Sequence, residues 1–167
     1  AEADPSLDIS GGDASHKIGL MAMIAFNSDF DISDVYVEGI ENFETKEIIY
    51  ARELGYNIKL LGIAKDIDSK TMEIRVHPTL IPFDSELSSV MNEFNGILVN
   101  SDFLGESFYY GKGAGSYPTG SAVVSDIADI AKMIAGKKKF NSFRYKPFKR
   151  KIILPMKNIT SKYYIRI

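Results

Sequence analysis

The first dozen residues are polar, acidic and glycine-containing, and they predict a loop. From Asp13 to Phe26 the pattern turns helical, and Ile18 to Phe26 is apolar on nearly every side, which predicts a buried helix. Asp13 or Ser10 can cap its start, and Asn27-Ser28-Asp29 ends it. Residues 44–54 place apolar and charged side chains on opposite faces, so they predict an amphipathic helix closed by Gly55. Tyr56 to Ala64 alternates, Asp66 to Lys70 is a polar turn, and Thr71 to His77 alternates again with Met72, Ile74 and Val76 on one face. That pair predicts an antiparallel hairpin, and Gly96 to Asn100 with Ser107 to Tyr110 predicts a second. A glycine-rich loop, Gly111 to Gly115, then leads into a helix from about Pro118 to Ile134, which Gly136 stops.

These elements add up to an α+β fold, a largely antiparallel sheet with helices on one face. The other face is then available for dimerisation with a second copy of the chain. The run from Lys137 to Lys151 holds eight Lys and Arg residues, interleaved with Phe140, Phe143, Tyr145 and Phe148. Such a stretch suits either a nucleic-acid patch or a linker whose aromatics pack on a neighbouring domain. The formal net charge of −2 argues against nucleic acid as the main partner and favours the linker.

Composition narrows the class further. The chain has 167 residues, 45% of them hydrophobic, which suits one globular domain with its own core. It has no cysteine, so disulfides, cysteine nucleophiles and cysteine metal sites are excluded. The longest apolar run, Ile18 to Phe26, is less than half of the ~20 residues that a membrane span requires. Glu2 and Asp4 stand where a secretory signal has basic residues, so a cytoplasmic protein is expected. The chain lacks an initiator methionine and ends in a strand-like Tyr163 to Ile167, as a piece of a longer protein does.

Two groups of residues have the makings of a site. Lys17 stands one turn after Asp13 and shares its helix face with Leu20, Met21 and Ile24, read as core. On that reading Lys17 is partly desolvated and needs a carboxylate, which Asp13 supplies. Glu2, Asp4 and Asp8 lie just upstream, so four acids and a lysine make a pocket suited to an ammonium group. The same residues also fit a solvated acidic loop with an ordinary ion pair. Gly111 to Gly115, before Pro118-Thr119, can bring backbone and a helix end close to an anion, or serve simply as a tight strand-to-helix turn. It matches neither a P-loop nor a dinucleotide fingerprint. His16 and His77 have no second ligand at metal spacing, so both read as structural and no metal is expected.

Taken in order, these motifs resemble homoserine dehydrogenase. Glu2-Ala3-Asp4-Pro5, Asp8 and Gly11 to Lys17 are similar to that family's substrate-binding segment. Glu38-Gly39-Ile40, Glu53 to Tyr56, Ile58 to Leu60, Arg75 to Leu80 and Asn95-Gly96 continue the likeness. Tyr110 to Gly115, Pro118-Thr119 and Ser125 to Ile127 complete it. The chain departs from the usual pattern at Ser85-Glu86-Leu87 and at Gly96, neither of which touches the expected acid/base.

The resemblance implies an oxidoreductase that interconverts L-homoserine and L-aspartate 4-semialdehyde with NADP or NAD, on the route to threonine, isoleucine and methionine. It assigns residues 1–136 to the catalytic domain, 137–162 to a basic, aromatic linker and 163–167 to the start of an ACT-like segment. The Rossmann domain that holds most of the cofactor lies outside this chain, so the isolated fragment is expected to be inactive. By the same likeness Lys17 is the acid/base, and Glu2, Asp8 and Asp13 bind substrate. Gly111, Gly113, Ala114, Gly115 and Thr119 lie at the cofactor, with a second lysine in the absent domain. The family's catalytic domains pair through their sheets, so a homodimer is expected. A regulatory small-molecule module, a pure dimerisation domain and a different dehydrogenase sharing this domain are the competing readings.

Overall fold

The computed structural model describes residues 5–136 and 149–165. Two compact units divide the chain: residues 1–80 with 147–167, and residues 81–146.

The first unit opens with a four-residue helix α1, Ser6–Ile9, and the longer α2, Gly12–Phe26. Gly11 in the left-handed region turns the chain between them, and Asn27, also left-handed, ends α2. After α2 come β1, Ser28–Asp29; β2, Tyr36–Val37; α3, Thr45–Glu53; β3, Tyr56–Asp66; and β4, Thr71–Pro82. Helix α3 starts with a reciprocal capping box in which Glu44 and Glu47 satisfy each other's backbone amides. The chain returns to this unit through β7, Lys149–Arg150, and β8, Ile152–Ile153.

The sheet corrects the expected topology. Its order is β2–β4–β3, with β8 also on β4. Strand β2 pairs with β4 in parallel at Arg75 and Val76, and β8 pairs with it in parallel at Thr71 and Met72. A separate parallel pair joins β1 to β7. The largely antiparallel sheet is therefore not seen: the fold is α/β with parallel pairings plus one small antiparallel ribbon. The reason lies in element length. Tyr36–Val37 and Ile152–Ile153 are dipeptide strands, too short to show a period of two, and they reach β4 from far along the sequence. Together they line the edge of β4 away from β3.

The core sits between α2 and this sheet. Met72, Ile74 and Val76 are fully buried, and Met72 and Ile74 pack with Ala22, Phe30 and Val35. Small residues let α2 approach closely. A Cβ on Gly62 of β3 would lie 2.8 Å from Ile18 Cβ, and Ser15, Gly19 and Ala22 form the buried face of α2. The stripe read as core is on the other side: Leu20 is 61% and Ile24 64% exposed, and Met21 is exposed as well. Nor is the second face of β4 open at Glu73 and Arg75, both of which are buried.

In the second unit β5, Phe94–Ser101, and β6, Gly105–Lys112, form an antiparallel ribbon running from Phe94↔Lys112 to Ser101↔Gly105. Helix α4, Ser116–Ala135, follows and buries none of its residues. Both elements match the sequence reading to within a few residues. Of the stretch 137–162, residues 137–148 lie outside the described residues, and 149–150 and 152–153 form β7 and β8. In the terminal segment, 166–167 also lie outside.

Candidate functional site

Residues 5–17 form two helices around a tight turn, and two of the expected substrate residues, Asp8 and Asp13, stand on them. Asp8 is exposed on α1. The Gly11 amide donates to the Asp8 carbonyl at 3.3 Å, and the Ser15 hydroxyl donates to the Gly12 carbonyl at 2.8 Å, which fixes the turn and the start of α2. Asp13 lies in the first turn of α2, where the positive helix end favours a carboxylate.

Lys17 Nζ meets Asp13 Oδ2 at 2.5 Å, one turn along the same face. The two residues are thus brought together as expected, but the desolvation argued for Lys17 is absent: its side chain is 57% exposed. The cause is the orientation of α2, whose buried face is made by its small residues, so the Lys17, Leu20, Ile24 side points outward. An exposed i,i+4 pair contributes only about 0.3–0.5 kcal/mol, so stability alone gives little reason for this placement. Glu2 lies outside the described residues.

The glycine loop belongs to the second unit. The Gly113 amide donates to the Glu93 carbonyl at 3.0 Å, and a Cβ on Gly113 would run into the Asn95 side chain. Gly113 therefore serves close packing inside its own ribbon. Gly111 has open space around it, and Gly115, at φ 114°, leads into α4. Ala114 lies between them, and the Thr119 amide donates to the Gly115 carbonyl at 3.2 Å. The first turn of α4 carries no acidic residue to compete with an anion at that helix end. Nearby, a bond from its own backbone amide, and after it the Lys112 ammonium, hold the Glu93 carboxylate below its usual range.

Two buried charge clusters escaped the sequence reading. On β4 the Arg75 guanidinium pairs with Glu73 and donates from Nε to His77 Nε2 at 2.8 Å. An arginine can only donate, so Nε2 of His77 accepts and its Nδ1–H donates to the Pro78 carbonyl at 2.9 Å. Burial pulls the Arg75 guanidinium below its ordinary value, against the field of Tyr163. Lys65 adds a second cation to Glu73 at 3.4 Å. The alternation Met72-Glu73-Ile74-Arg75-Val76-His77 carries the signal: three apolar residues on one face require three polar ones on the other. In the second cluster Lys151, itself buried, pairs with Asp66 and donates to the Asp68 carbonyl at 2.8 Å.

Among the described residues no group of three or more His, Asp or Glu residues stands together as a metal site, and no helix is long and apolar enough to cross a membrane.

Comparison with known proteins defines the class to which these motifs belong. A sequence model of the family described as homoserine dehydrogenase matches residues 1–128. The homoserine dehydrogenase of Neisseria gonorrhoeae is 47% identical over the whole chain, which covers 39% of that protein. That of Helicobacter pylori is 41% identical over the whole chain and 38% of its own length. A crystal structure of a homoserine dehydrogenase from Thiobacillus denitrificans superposes with a TM-score of 0.86 at 41% identity, covering 95% of this chain and 38% of that one. The chain belongs to the homoserine dehydrogenase family. It spans about two fifths of the length of the relatives it matches.

Proposed function

We propose that this chain supplies the substrate half of a cytoplasmic, homodimeric homoserine dehydrogenase that interconverts L-homoserine and L-aspartate 4-semialdehyde. NADP or NAD, bound mainly by a domain outside these residues, supplies the hydride acceptor. In this reading residues 1–136 are the catalytic domain, 137–162 a linker and 163–167 the start of an ACT-like segment.

Glu2 and Asp13, with Asp8 beside them, hold the substrate ammonium. Lys17 accepts the proton of the homoserine hydroxyl as hydride leaves the same carbon, and returns a proton to the carbonyl oxygen in the reverse direction. Gly111, Gly113, Ala114, Gly115 and Thr119 line the nucleotide's reactive end. A lysine amine accepts a proton readily only when shielded from water, and α2 presents Lys17 outward. Bound substrate and the nucleotide domain therefore have to close over this face to shield it.

The Asp13–Lys17 pair carries the reading. It supports the reading because the proposed proton carrier and the proposed ammonium-binding carboxylate stand side by side on an exposed face, within the family match. The test is a rate assay of the intact enzyme with homoserine and either nucleotide, for wild type and Lys17→Ala. Turnover is expected to fall about 100-fold or more with substrate still bound, the usual scale of acid/base catalysis. A change of a few-fold would leave Lys17 as a surface ion pair.

A further inference from the structure

The acidic turn that carries Asp8 and Asp13 does not hold its own position. Helix α1 has four residues, buries none of them, and is far too short to be stable alone. Its backbone is tied by one segment that the proposed mechanism leaves unused, Glu38-Gly39-Ile40, directly after β2. The Glu38 amide donates to the Val76 carbonyl of β4 at 2.8 Å, which extends the parallel pairing past Val37. Two residues on, the Ile40 amide donates to the Ile9 carbonyl at 2.9 Å, at the end of α1. A Cβ on Gly11 would stand 3.1 Å from both Val37 Cγ1 and Val76 Cγ1, so the turn rests directly on β2 and β4. The Tyr36 hydroxyl donates to the Glu38 carboxylate at 2.9 Å and steadies the first residue of the segment.

Gly39 is the tight point. A Cβ there would lie 2.5 Å from the Ile9 carbonyl oxygen, the atom that accepts from Ile40, and would also meet the Glu41 carboxylate. The carboxylate is on an exposed, flexible side chain and can swing away. The carbonyl cannot, because it is backbone at the end of α1. Real Cβ contacts do not close below 3.0 Å, so the strap and α1 must part by about 0.5 Å.

We propose that Glu38-Gly39-Ile40 is a positioning strap of the substrate site: it docks the Asp8–Asp13 turn on the sheet, with Gly39 letting strap and turn meet. The proposal rests on the functional reading above, and the substrate class it concerns is the amino acid whose ammonium that turn binds. The strap touches no reacting atom. It sets where Asp8 stands relative to Asp13 and Lys17.

The experiment is steady-state kinetics of the intact enzyme carrying Gly39→Ala, Glu41→Ala and both together, with thermal unfolding of each. In Gly39→Ala, kcat/KM for homoserine is expected to fall roughly 10- to 100-fold, the scale of small misplacements in a site, through a raised homoserine KM at unchanged nucleotide KM. Glu41→Ala is expected to behave as wild type, and the double variant to keep the defect. If Gly39→Ala alone fails to fold, the double variant, with the carboxylate removed from the same space, carries the test. A homoserine KM within twofold of wild type, whether or not the melting temperature falls, overturns the proposal. A wild-type enzyme that turns over no homoserine with either nucleotide overturns the functional reading itself, and is seen before any variant is made.

Discussion

Asp68 shows how much a single exposed carboxylate can organise. It accepts from the Lys70 and Thr71 amides at 2.7 and 2.8 Å and so closes the turn between β3 and β4. Those bonds, the Lys70 amide first, hold its carboxyl below the ordinary value of 3.8. A carboxylate whose folded value is depressed binds its proton less readily than in the unfolded chain. It therefore contributes stability above the ordinary value and loses it as pH falls through the folded one. Asp68→Ala should lower the urea midpoint at neutral pH, and its gap to wild type should close below about pH 4. A gap of constant size down to pH 2 would mean that the turn does not depend on the charge of Asp68. This residue was legible in the sequence, since Asp66 to Lys70 is a run of turn formers between two alternating segments. Lys151, which grips the same turn, was not: it is 83 residues from the Asp68 carbonyl that it donates to. No local pattern reports such a distance. The exposure of Lys17 was hidden for a related reason. Hydrophobicity pointed to Leu20 and Ile24 as the inner face of α2, whereas close packing on β3 selected the small residues instead.

At the scale of elements, reading succeeded where a segment is long enough to show its period. Strand β4 displays Met72, Ile74 and Val76 toward the core as its alternation requires, and the β5–β6 ribbon and α4 fall where their patterns end. It failed at the dipeptide strands β2 and β8, and with them went the topology. These short strands depend on tertiary ties, and β8 depends on Lys151. The Ile152 amide donates to the Lys70 carbonyl at 2.8 Å and the Leu154 amide to the Met72 carbonyl at 2.9 Å, beside the pair that the buried Lys151 makes with Asp66. Removing the lysine leaves Asp66 half-exposed, so the carboxylate can recover water while the Asp68 carbonyl loses its donor. Lys151→Ala should therefore destabilise the first unit by about 1–3 kcal/mol. Hydrogen exchange should accelerate at the Ile152 and Leu154 amides before it does in α2. Unchanged protection there would show that backbone pairing alone holds the returning chain.

At the scale of the whole molecule, the apolar surface says what the chain needs. Helix α4 presents Tyr117, Val124, Ile127 and Ile134 to solvent, Tyr117 at 90% and Ile134 at 73% exposure. Helix α2 adds Leu20 and Ile24 beside the proposed proton carrier. A soluble domain rarely leaves such stripes bare, and the relatives are more than twice as long as this chain. Hydride transfer further demands that nucleotide and substrate be held in reacting contact, which accounts for a large share of any two-substrate rate enhancement. The glycine loop is proposed for only one end of such a binding site, and Lys17 is open to water on α2. The isolated 167-residue chain is therefore expected to show no turnover of homoserine with NADP or NAD above the uncatalysed background. Fusing it to the part of the Neisseria relative that it does not match should restore a measurable rate and reduce binding of a hydrophobic dye. Turnover by the chain alone would mean that Gly111 to Thr119 can hold the nucleotide unaided. A fusion that loses the dye signal and stays inactive would place the fault in the substrate residues themselves, with the Lys17 assignment the first to be abandoned.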